Sequence, residues 1–256
     1  MAGRLKDKVA FITGTGGGQG RAAAILFAKE GAKIVGCDVK KEGGEETAAM
    51  IKAAGGDSIF RVVDMAEGDQ VKSWFDWGVG QYGQMDILYN NASACQFAPI
   101  EQMTWEEWNF TIRNELDLLY WACHYAFPLM KARGGSIINT ASIAGMLGFS
   151  ELGNFAHGAT KGGVIALSRQ LAAEGAQYKI RSNSITPGTV ETPVVVAMLN
   201  DPLHADMLNK IIQQHLLKRI GKPEDIAYCA LYLASDVESG WVTGANFVID
   251  GGMTAQ

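Results

Sequence analysis

The chain has 256 residues, of which 48% are hydrophobic and 19% are charged, and its formal net charge is −5. This composition is typical of a folded globular protein and excludes a disordered chain, while the net negative charge argues against nucleic acid as a partner. No stretch approaches the roughly 18 apolar residues of a membrane helix, and residues 1–8 lack the apolar core of a signal peptide. We therefore expect one cytoplasmic domain over residues 1–256 that makes no membrane contact.

A glycine-rich turn near the start of the chain connects a predicted strand to a predicted helix. An apolar run at 9–12 precedes the sequence Thr-Gly-Thr-Gly-Gly-Gly-Gln-Gly at 13–20, and helical spacing of apolar residues follows at 21–29. Glycine lets another group approach the main chain closely, and the start of a helix offers unpaired amides and the positive end of its dipole. The turn therefore predicts a diphosphate site, although taken alone it also fits a plain structural turn.

The remaining elements alternate between strands and helices. The second strand, 34–38, ends in Asp38, where the ribose of a dinucleotide would lie. Ser142 follows the fifth strand, at the edge where open α/β sheets bind ligands. The alternation predicts an α/β fold with a doubly wound parallel, Rossmann-like sheet of about seven strands. The later strands are predicted at 58–63, 86–89, 136–141, 180–185 and 245–249, and the later helices at about 45–54, 71–82, 108–130, 155–176 and 222–233.

The segment at 189–220 follows Pro187-Gly188 and carries an amphipathic stretch that includes Leu208 and Ile211. This pattern fits a lid over a substrate site, and it fits an interface helix equally well. The four cysteines and four histidines show neither Cys-x-x-Cys nor any other metal-ligand spacing. We therefore expect a substrate lid at about 189–220 and no bound metal.

Several motifs, in the right order and over essentially the whole chain, resemble those of the short-chain dehydrogenase/reductase family. The resemblance implies an NAD(P)-dependent oxidoreductase that acts between an alcohol and a ketone, usually as a homotetramer. The matching motifs are Thr13-Gly14-x-x-x-Gly18-x-Gly20, Asn90-Asn91-Ala92, Asn114, Ser142, Lys161, Asn183 and Pro187-Gly188-x-x-x-Thr192.

The resemblance also implies roles for individual residues. Ser142 would hydrogen-bond the reacting oxygen, Lys161 would grip the nicotinamide ribose, and Asn114 would support a water linked to Lys161. Asp64 would contact the adenine, and Thr192 would meet the carboxamide. The full expected cofactor site comprises Gly14, Gly18, Gln19, Gly20, Asp38, Asp64, Met65, Asn91, Lys161, Pro187, Gly188, Val190 and Thr192.

Three residues depart from the family pattern. Gln19 replaces an aliphatic residue in the glycine turn, and Ser93 replaces the glycine after Asn-Asn-Ala. The third departure is larger, because the Tyr-x-x-x-Lys signature reads His157-Gly-Ala-Thr-Lys161. His157 lies fifteen residues after Ser142, as though two residues were inserted near 150–154, and Phe155 stands at the usual interval. Alignment on Lys161 assigns the tyrosine's role to His157, because residues at i and i+4 share one helical face.

An imidazole titrates near neutral pH, so His157 is expected to act as the acid/base beside Ser142 and Lys161. Lys161 and an oxidised nicotinamide are expected to disfavour the imidazolium form. Two alternatives stay open at this point: a non-catalytic NAD-binding protein, and a lyase in which His157 abstracts a proton next to a carbonyl.

The sequence also favours one cofactor and outlines a substrate pocket. Asp38 would accept hydrogen bonds from ribose hydroxyls and repel a 2′-phosphate, so NAD is expected over NADP. Lys40 and Lys41 lie nearby and would soften this preference. The substrate is expected to be a mid-sized cyclic or aromatic alcohol or ketone. The expected substrate contacts are Gln96, Phe149, Asn154 and Met198, with Phe97, Glu151, Leu152 and Leu199 as further wall residues.

Overall fold

The computed structural model describes residues 3–149, 153–202 and 204–256. These residues form a seven-stranded parallel sheet with the order β3-β2-β1-β4-β5-β6-β7. The order reverses direction once, between β1 and β4, as in doubly wound folds. The predicted fold class is therefore confirmed. The strands are β1 (Val9–Thr13), β2 (Lys33–Asp38), β3 (Asp57–Val62), β4 (Ile87–Asn90), β5 (Gly135–Thr140), β6 (Ile180–Pro187) and β7 (Asn246–Ile249).

Helices cover both faces of the sheet, which is why β1, β4 and β6 read as runs of buried residues rather than as alternating ones. The helices are α1 (Gly18–Lys29), α2 (Lys41–Ala53), α3 (Gly68–Tyr82), α4 (Trp105–Ile112), α5 (Leu118–Met130), α6 (Phe155–Gly175), α7 (Pro193–Leu199), α8 (Ala205–Gln214), α9 (Pro223–Ala234) and α10 (Asp236–Ser239). None of the described helices combines the length and hydropathy needed to cross a bilayer.

Two apolar cores lie on opposite faces of the sheet. On one face Phe11 packs edge-on against Trp74 of α3, with ring centroids 5.3 Å apart, in a cluster that extends to α5 and α6. On the other face Phe27 of α1 lies 6.4 Å from the ring of Tyr89, in a cluster that includes α9. Burial on both faces fixes the sheet, so the loops at the carboxyl ends of the strands are held in place.

The long helix predicted at 108–130 differs from a regular α-helix. A π-helical segment, Arg113–Asp117, separates α4 from α5. A π-turn takes in an extra residue and changes which side chains face inward, and such segments occur often at functional sites. Glu115, in the middle of this segment, is only 2% exposed.

Candidate functional site

The glycine-rich turn lies between β1 and α1 and requires glycine at its closest contacts. Gly14 has a φ of +74°, a conformation that a side chain disfavours. A Cβ on Gly20 would lie 2.1 Å from the Gly14 carbonyl oxygen, so a larger residue cannot fit there. Because α1 begins at Gly18, its unpaired amides are next to the turn. This cradle fits the diphosphate of a dinucleotide.

The turn is held from the neighbouring strand end. The Thr13 hydroxyl accepts hydrogen bonds from the main-chain amides of Asn91 and Ala92, both at 3.0 Å. The Asn91 side-chain amide donates to the Thr13 carbonyl at 3.1 Å. Asn91 therefore joins β4 to the glycine turn, at the point where the strand order reverses.

Asp38 borders the same turn from the end of β2. Its Oδ2 accepts a hydrogen bond from the Gly16 amide at 2.8 Å, and its Oδ1 accepts one from the Lys40 amide at 2.9 Å. The carboxylate is thus fixed beside the turn. Within the described residues, the buried Oε1 of Gln19 has no hydrogen-bond partner, so a polar acceptor is also available beside the cradle.

The segment after β6 returns to the glycine turn from the other side. A Cβ on Gly18 would lie 3.4 Å from the Thr192 side chain, and one on Gly17 would lie 3.3 Å from Pro193. The Gly188 amide donates to the Ile249 carbonyl at 3.0 Å, which ties this segment to β7. Val190 is buried, and it forms a bridge with Gly221. The structure therefore brings the expected Pro187–Thr192 segment next to the diphosphate cradle.

Asp64 and Met65 follow β3. The Asp64 carboxylate accepts a hydrogen bond from the Ala66 amide at 2.9 Å and lies 3.4 Å from the Arg113 guanidinium. The Met65 side chain is buried and its sulfur lies 3.5 Å from the Cys37 sulfur. Because the side chain of Met65 belongs to the apolar core, its expected cofactor contact requires its main chain.

Glu115 lies at the centre of a buried polar cluster. His157 Nδ1 lies 2.9 and 3.0 Å from the two carboxylate oxygens. The hydroxyls of Ser93 and Thr160 donate to the carboxylate at 2.6 and 2.5 Å, and Lys161 Nζ is 3.6 Å away. Hydrogen-bonding side chains and the lysine ammonium therefore surround one carboxylate.

Lys161 and Ser142 both lie near the end of β5. Lys161 Nζ donates to the Thr140 carbonyl at 3.2 Å, and only 4% of the lysine is exposed. The Ser142 hydroxyl accepts a hydrogen bond from the Ala144 amide at 3.2 Å, so it caps the 3₁₀ turn that follows the strand. Phe155, the residue at the usual interval from Ser142, is instead half-exposed and packs against Trp108 at a centroid distance of 5.6 Å.

Asn114 and Glu115, which are neighbours in the π-helical segment, make different contacts. The Asn114 side-chain amide donates to the Phe110 carbonyl at 2.8 Å, whereas the Glu115 carboxylate faces Lys161. The main-chain carbonyl of Asn114 accepts the Ala94 amide at 3.2 Å. A water held by Asn114 stays a prediction, and Glu115 is the site residue that the motif comparison missed.

Opposing effects act on the ionisation of this cluster. Burial raises the pKa of Glu115, but the Lys161 ammonium and the hydrogen bond from His157 outweigh burial and lower that pKa to about 2. Burial, with the neighbouring Glu115 carboxylate, raises the pKa of the Cys95 thiol to about 12. At neutral pH the site therefore holds a carboxylate and a neutral thiol.

The cluster also contains the atom types of a metal site. Within the described parts of the chain, one group of three residues, Cys95, Glu115 and His157, places possible ligand atoms within 4.8 Å of one another. The Lys161 cation lies beside that carboxylate, and thiolate, the metal-binding form of cysteine, is disfavoured by the raised pKa. The donor set fits a proton-transfer site better than a metal site.

The expected substrate residues fall into two groups. Phe149 and Met198 pack against the same small apolar cluster, which is formed by Ile143, Leu208, Ile211 and Met253. Gln96 is exposed and its main-chain N–H donates to the Thr111 hydroxyl, while the Phe97 ring lies 5.7 Å from the His157 ring. Asn154 precedes α6, and its buried Oδ1 has no partner among the described residues. Glu151 and Leu152 lie outside the described residues.

The arrangement places an imidazole next to a lysine, a serine at the same strand end, and a diphosphate cradle nearby. One family model, described as "Enoyl-(Acyl carrier protein) reductase", matches residues 14–254. The cyclohexanol dehydrogenase of Acinetobacter sp. (strain SE19) is 32% identical over 100% of this chain and 98% of that protein.

A second relative and a solved structure show the same similarity over nearly the full length. The 3-oxoacyl-[acyl-carrier-protein] reductase of Thermotoga maritima is 36% identical over 98% of this chain and 99% of that protein. The crystal structure described as a putative short-chain dehydrogenase/reductase from Burkholderia xenovorans has a TM-score of 0.94 and 33% identity, covering 100% of this chain and 99% of that one.

Proposed function

Because the chain belongs to the short-chain dehydrogenase/reductase family, we propose that it interconverts a secondary alcohol and a ketone with NAD and uses His157 as the acid/base. The observation that carries this proposal is the position of the His157 ring. The ring is hydrogen-bonded to Glu115 at 2.9 Å, and that carboxylate lies 3.6 Å from Lys161. An ionisable group therefore stands four residues before the lysine, where the family's tyrosine would be.

The cradle formed by Gly14, Gly18 and Gly20 would hold the diphosphate of NAD, and Asp38 would accept hydrogen bonds from the adenosine ribose. Lys161 would hold the nicotinamide ribose, and Thr192 would meet the carboxamide. The chemistry that NAD supplies when bound is hydride exchange with the carbinol or carbonyl carbon. Gln19, Asp64, Met65, Asn91, Pro187, Gly188 and Val190 complete the proposed cofactor site.

The proton is handled by the protein. In alcohol oxidation, His157 accepts the hydroxyl proton while Ser142 hydrogen-bonds the same oxygen. In ketone reduction, the protonated ring returns that proton. Ser142 is suited to this contact because its hydroxyl, which accepts a bond from Ala144, retains its own hydrogen as a donor.

The substrate is proposed to be a mid-sized cyclic or aromatic alcohol or ketone. Phe149 and Met198, which share one apolar cluster, would supply a nonpolar wall. The carbonyl oxygen of the Asn154 side chain is buried and lacks a partner among the described residues, so it would accept a hydrogen bond from a substrate hydroxyl. Gln96 would provide a second polar contact. The similarity to a cyclohexanol dehydrogenase supports this class.

The protein is further proposed to be a cytoplasmic homotetramer. Trp105 of α4 and Tyr120 of α5 are 71% and 54% exposed in the single chain. Large aromatic side chains on the surface of a helix pair are typical of protein interfaces. The segment at 189–220, which contains α7 and α8, is proposed as the substrate lid rather than as part of this interface.

The direct test is a screen for oxidation of cyclic secondary alcohols and for reduction of the corresponding ketones. Each reaction is run with NAD and with NADP in the appropriate redox state and is monitored by the absorbance of the nicotinamide. The screen should include cyclohexanol and a 3-oxoacyl thioester, because one relative is named as a cyclohexanol dehydrogenase and another as a 3-oxoacyl-[acyl-carrier-protein] reductase. Oxidation of an alcohol with NAD is the expected result. Product formed without an absorbance change would indicate the lyase alternative, and NAD binding without any turnover would indicate the non-catalytic one.

His157→Phe tests the assignment of the acid/base. The variant should turn over at least about 100-fold more slowly, because general acid/base catalysis contributes about that factor or more, while NADH binding measured by fluorescence should be nearly unchanged. His124→Phe is the matched control, since His124 is exposed on α5 and a phenyl ring keeps its stacking on Tyr120. Near-normal turnover of His157→Phe would contradict the assignment.

A further inference from the structure

We propose that Glu115 is the positioning residue of this site: it holds His157 with a proton on Nδ1, leaves Nε2 to exchange the substrate proton, and offsets the positive charge that the ring gains. This inference rests on the proposed function and adds to it a residue that is not part of the family motifs.

The tautomer follows from the hydrogen bonds. An ionised carboxylate can only accept hydrogen bonds, so the contact at 2.9 Å requires a hydrogen on His157 Nδ1. Every hydrogen bond of the ring to residues within 3–149, 153–202 and 204–256 is made through Nδ1. In the neutral ring the lone pair is therefore on Nε2, which is the form that a base needs.

The orientation of the carboxylate is itself fixed. Ser93 donates to Oε1 and Thr160 donates to Oε2, so the plane of the carboxylate is held from both sides. Thr160 lies on α6, one residue before Lys161 and three after His157. A histidine whose second nitrogen is bound to a carboxylate has a defined ring orientation, as in catalytic triads.

The second contribution of Glu115 is its negative charge. When Nε2 takes a proton the ring becomes a cation, and the cation Lys161 stands nearby. The Glu115 carboxylate lies next to both groups, at 2.9 Å and 3.6 Å, and has no exposed surface. This carboxylate therefore provides one negative charge beside two groups that can carry positive charge. The expectation that Lys161 and an oxidised nicotinamide disfavour the imidazolium form stays a prediction, and Glu115 is a further charge beside the ring.

Two of the three departures from the family pattern are side chains that contact this residue. Ser93 replaces a glycine and His157 replaces a tyrosine, and both side chains bind Glu115. A tyrosine hydroxyl has one oxygen for its contacts, whereas an imidazole has a second nitrogen that needs an acceptor. Glu115 supplies this acceptor, and Ser93 supplies a donor to it.

The first experiment reads the tautomer without any turnover. The ¹⁵N chemical shifts of the His157 ring in the substrate-free protein at pH 8 should report a protonated Nδ1 and an unprotonated Nε2. A proton on Nε2 would overturn the proposal even if the enzyme is active. Conversely, the expected shifts in a protein that oxidises no alcohol would support the role of Glu115 while contradicting the dehydrogenase function.

The second experiment removes the charge and keeps an acceptor. Glu115→Gln should lower kcat for alcohol oxidation by about 100-fold and move the acidic limb of the pH–rate profile down by about one pH unit. Glu115→Asp, which keeps the charge, should restore the position of that limb and part of the rate. Glu106→Gln, an exposed residue in the first turn of α4, is the matched control.

Two results would overturn the proposal. A Glu115→Gln enzyme with an unchanged pH–rate profile and kcat within about threefold of the wild type would show that the charge is not used. Loss of wild-type activity in a chelator, with recovery on addition of Zn²⁺ alone, would show that Cys95, Glu115 and His157 bind a metal instead. Circular dichroism of each variant separates these outcomes from misfolding.

Discussion

A buried carboxylate stays ionised only when hydrogen-bond donors or cations surround it, and Glu115 is surrounded by Ser93, His157, Thr160 and Lys161. His157 is the proposed acid/base, and Lys161 is the residue proposed to hold the cofactor. The same interactions that lower the pKa of Glu115 therefore link the stability of the fold to the ionisation of the site.

Glu115 should contribute stability that depends on pH. Its pKa is about 2 in the folded chain and 4.5 ordinarily, so its contribution is complete above about pH 4.5 and is lost as the pH falls towards 2. The shift corresponds to roughly 3 kcal/mol at most. Urea unfolding of the wild type and Glu115→Gln should show the largest difference in free energy of unfolding above pH 4.5. A difference that does not shrink at lower pH would contradict this prediction.

Asp38 should determine the choice of cofactor. Its carboxylate is fixed beside the glycine turn by the Gly16 and Lys40 amides, so it faces a 2′-phosphate with like charge. A preference for NAD on the order of 100-fold in kcat/KM is expected, because like-charge juxtaposition costs several kcal/mol. Asp38→Ala should narrow this preference, and Asp69→Ala on α3 serves as the control. Equal turnover with both cofactors in the wild type would contradict the prediction.

The positions of the matching motif residues explain why the sequence predicts a role for His157 but not for Glu115. The interval to Lys161 identifies His157, since both lie on one face of α6. Asn114 has the residue type that the family has at this position, so the motif match by itself gives no reason to predict a role for the next residue. The signal for Glu115 is a charged residue on an apolar stripe, three positions after Ile112 and four before Leu119.

At the scale of elements, helix periodicity predicts α4 and α5 as one helix and cannot predict the π-helical segment between them. The side chains that contact Glu115 in that segment come from α6 and from the loop after β4, which are distant in sequence. The proposed lid segment at 189–220 is similar, because its sequence predicts an amphipathic stretch but not how that stretch is attached to the fold.

That attachment is made by His215, which is 2% exposed. Its Nε2 accepts a hydrogen bond from the Thr189 amide at 3.2 Å, and its Nδ1 lies 3.1 Å from the Ile212 carbonyl oxygen, so the ring joins the end of α8 to the segment after β6. Because α8 is linked to the proposed cofactor segment, bound NAD should stabilise both α8 and that segment.

Limited trypsin digestion should detect this link. Cleavage after Lys210 in α8 should slow when NAD is added. His215→Phe should speed cleavage by several-fold, because the Thr189 amide loses its acceptor. Cleavage outside 189–220 serves as the internal control. Equal cleavage rates with and without NAD would favour the interface-helix alternative.

At the scale of the whole molecule, most of the architecture was predictable. Apolar runs separated by helical patterns give seven strands within one or two residues of those observed, and right-handed parallel crossovers leave few possible orders. The sequence cannot by itself give the distances within the site, since the Glu115 cluster joins the loop after β4, the π-helical segment and α6 across more than 60 residues of sequence.

The assembly should be visible in solution. Light scattering after gel filtration should give four times the mass of the chain. Tyr120→Asp should reduce that mass, because it places a charge on a face with large exposed aromatic residues. Val39→Asp, at an exposed position after β2, is the control. A monomer at micromolar concentration would contradict the tetramer.

The thiol in the Glu115 cluster has a consequence for how the protein responds to oxidants. Thiolate is the reactive form of cysteine, and burial raises the pKa of Cys95 and Cys229 to about 12 and that of Cys37 well above its usual range. Cys123, which is also buried, has its pKa raised to about 12. Very little thiolate exists at neutral pH, so hydrogen peroxide and iodoacetamide should inactivate the enzyme slowly, although Cys95 lies close to Glu115 and His157.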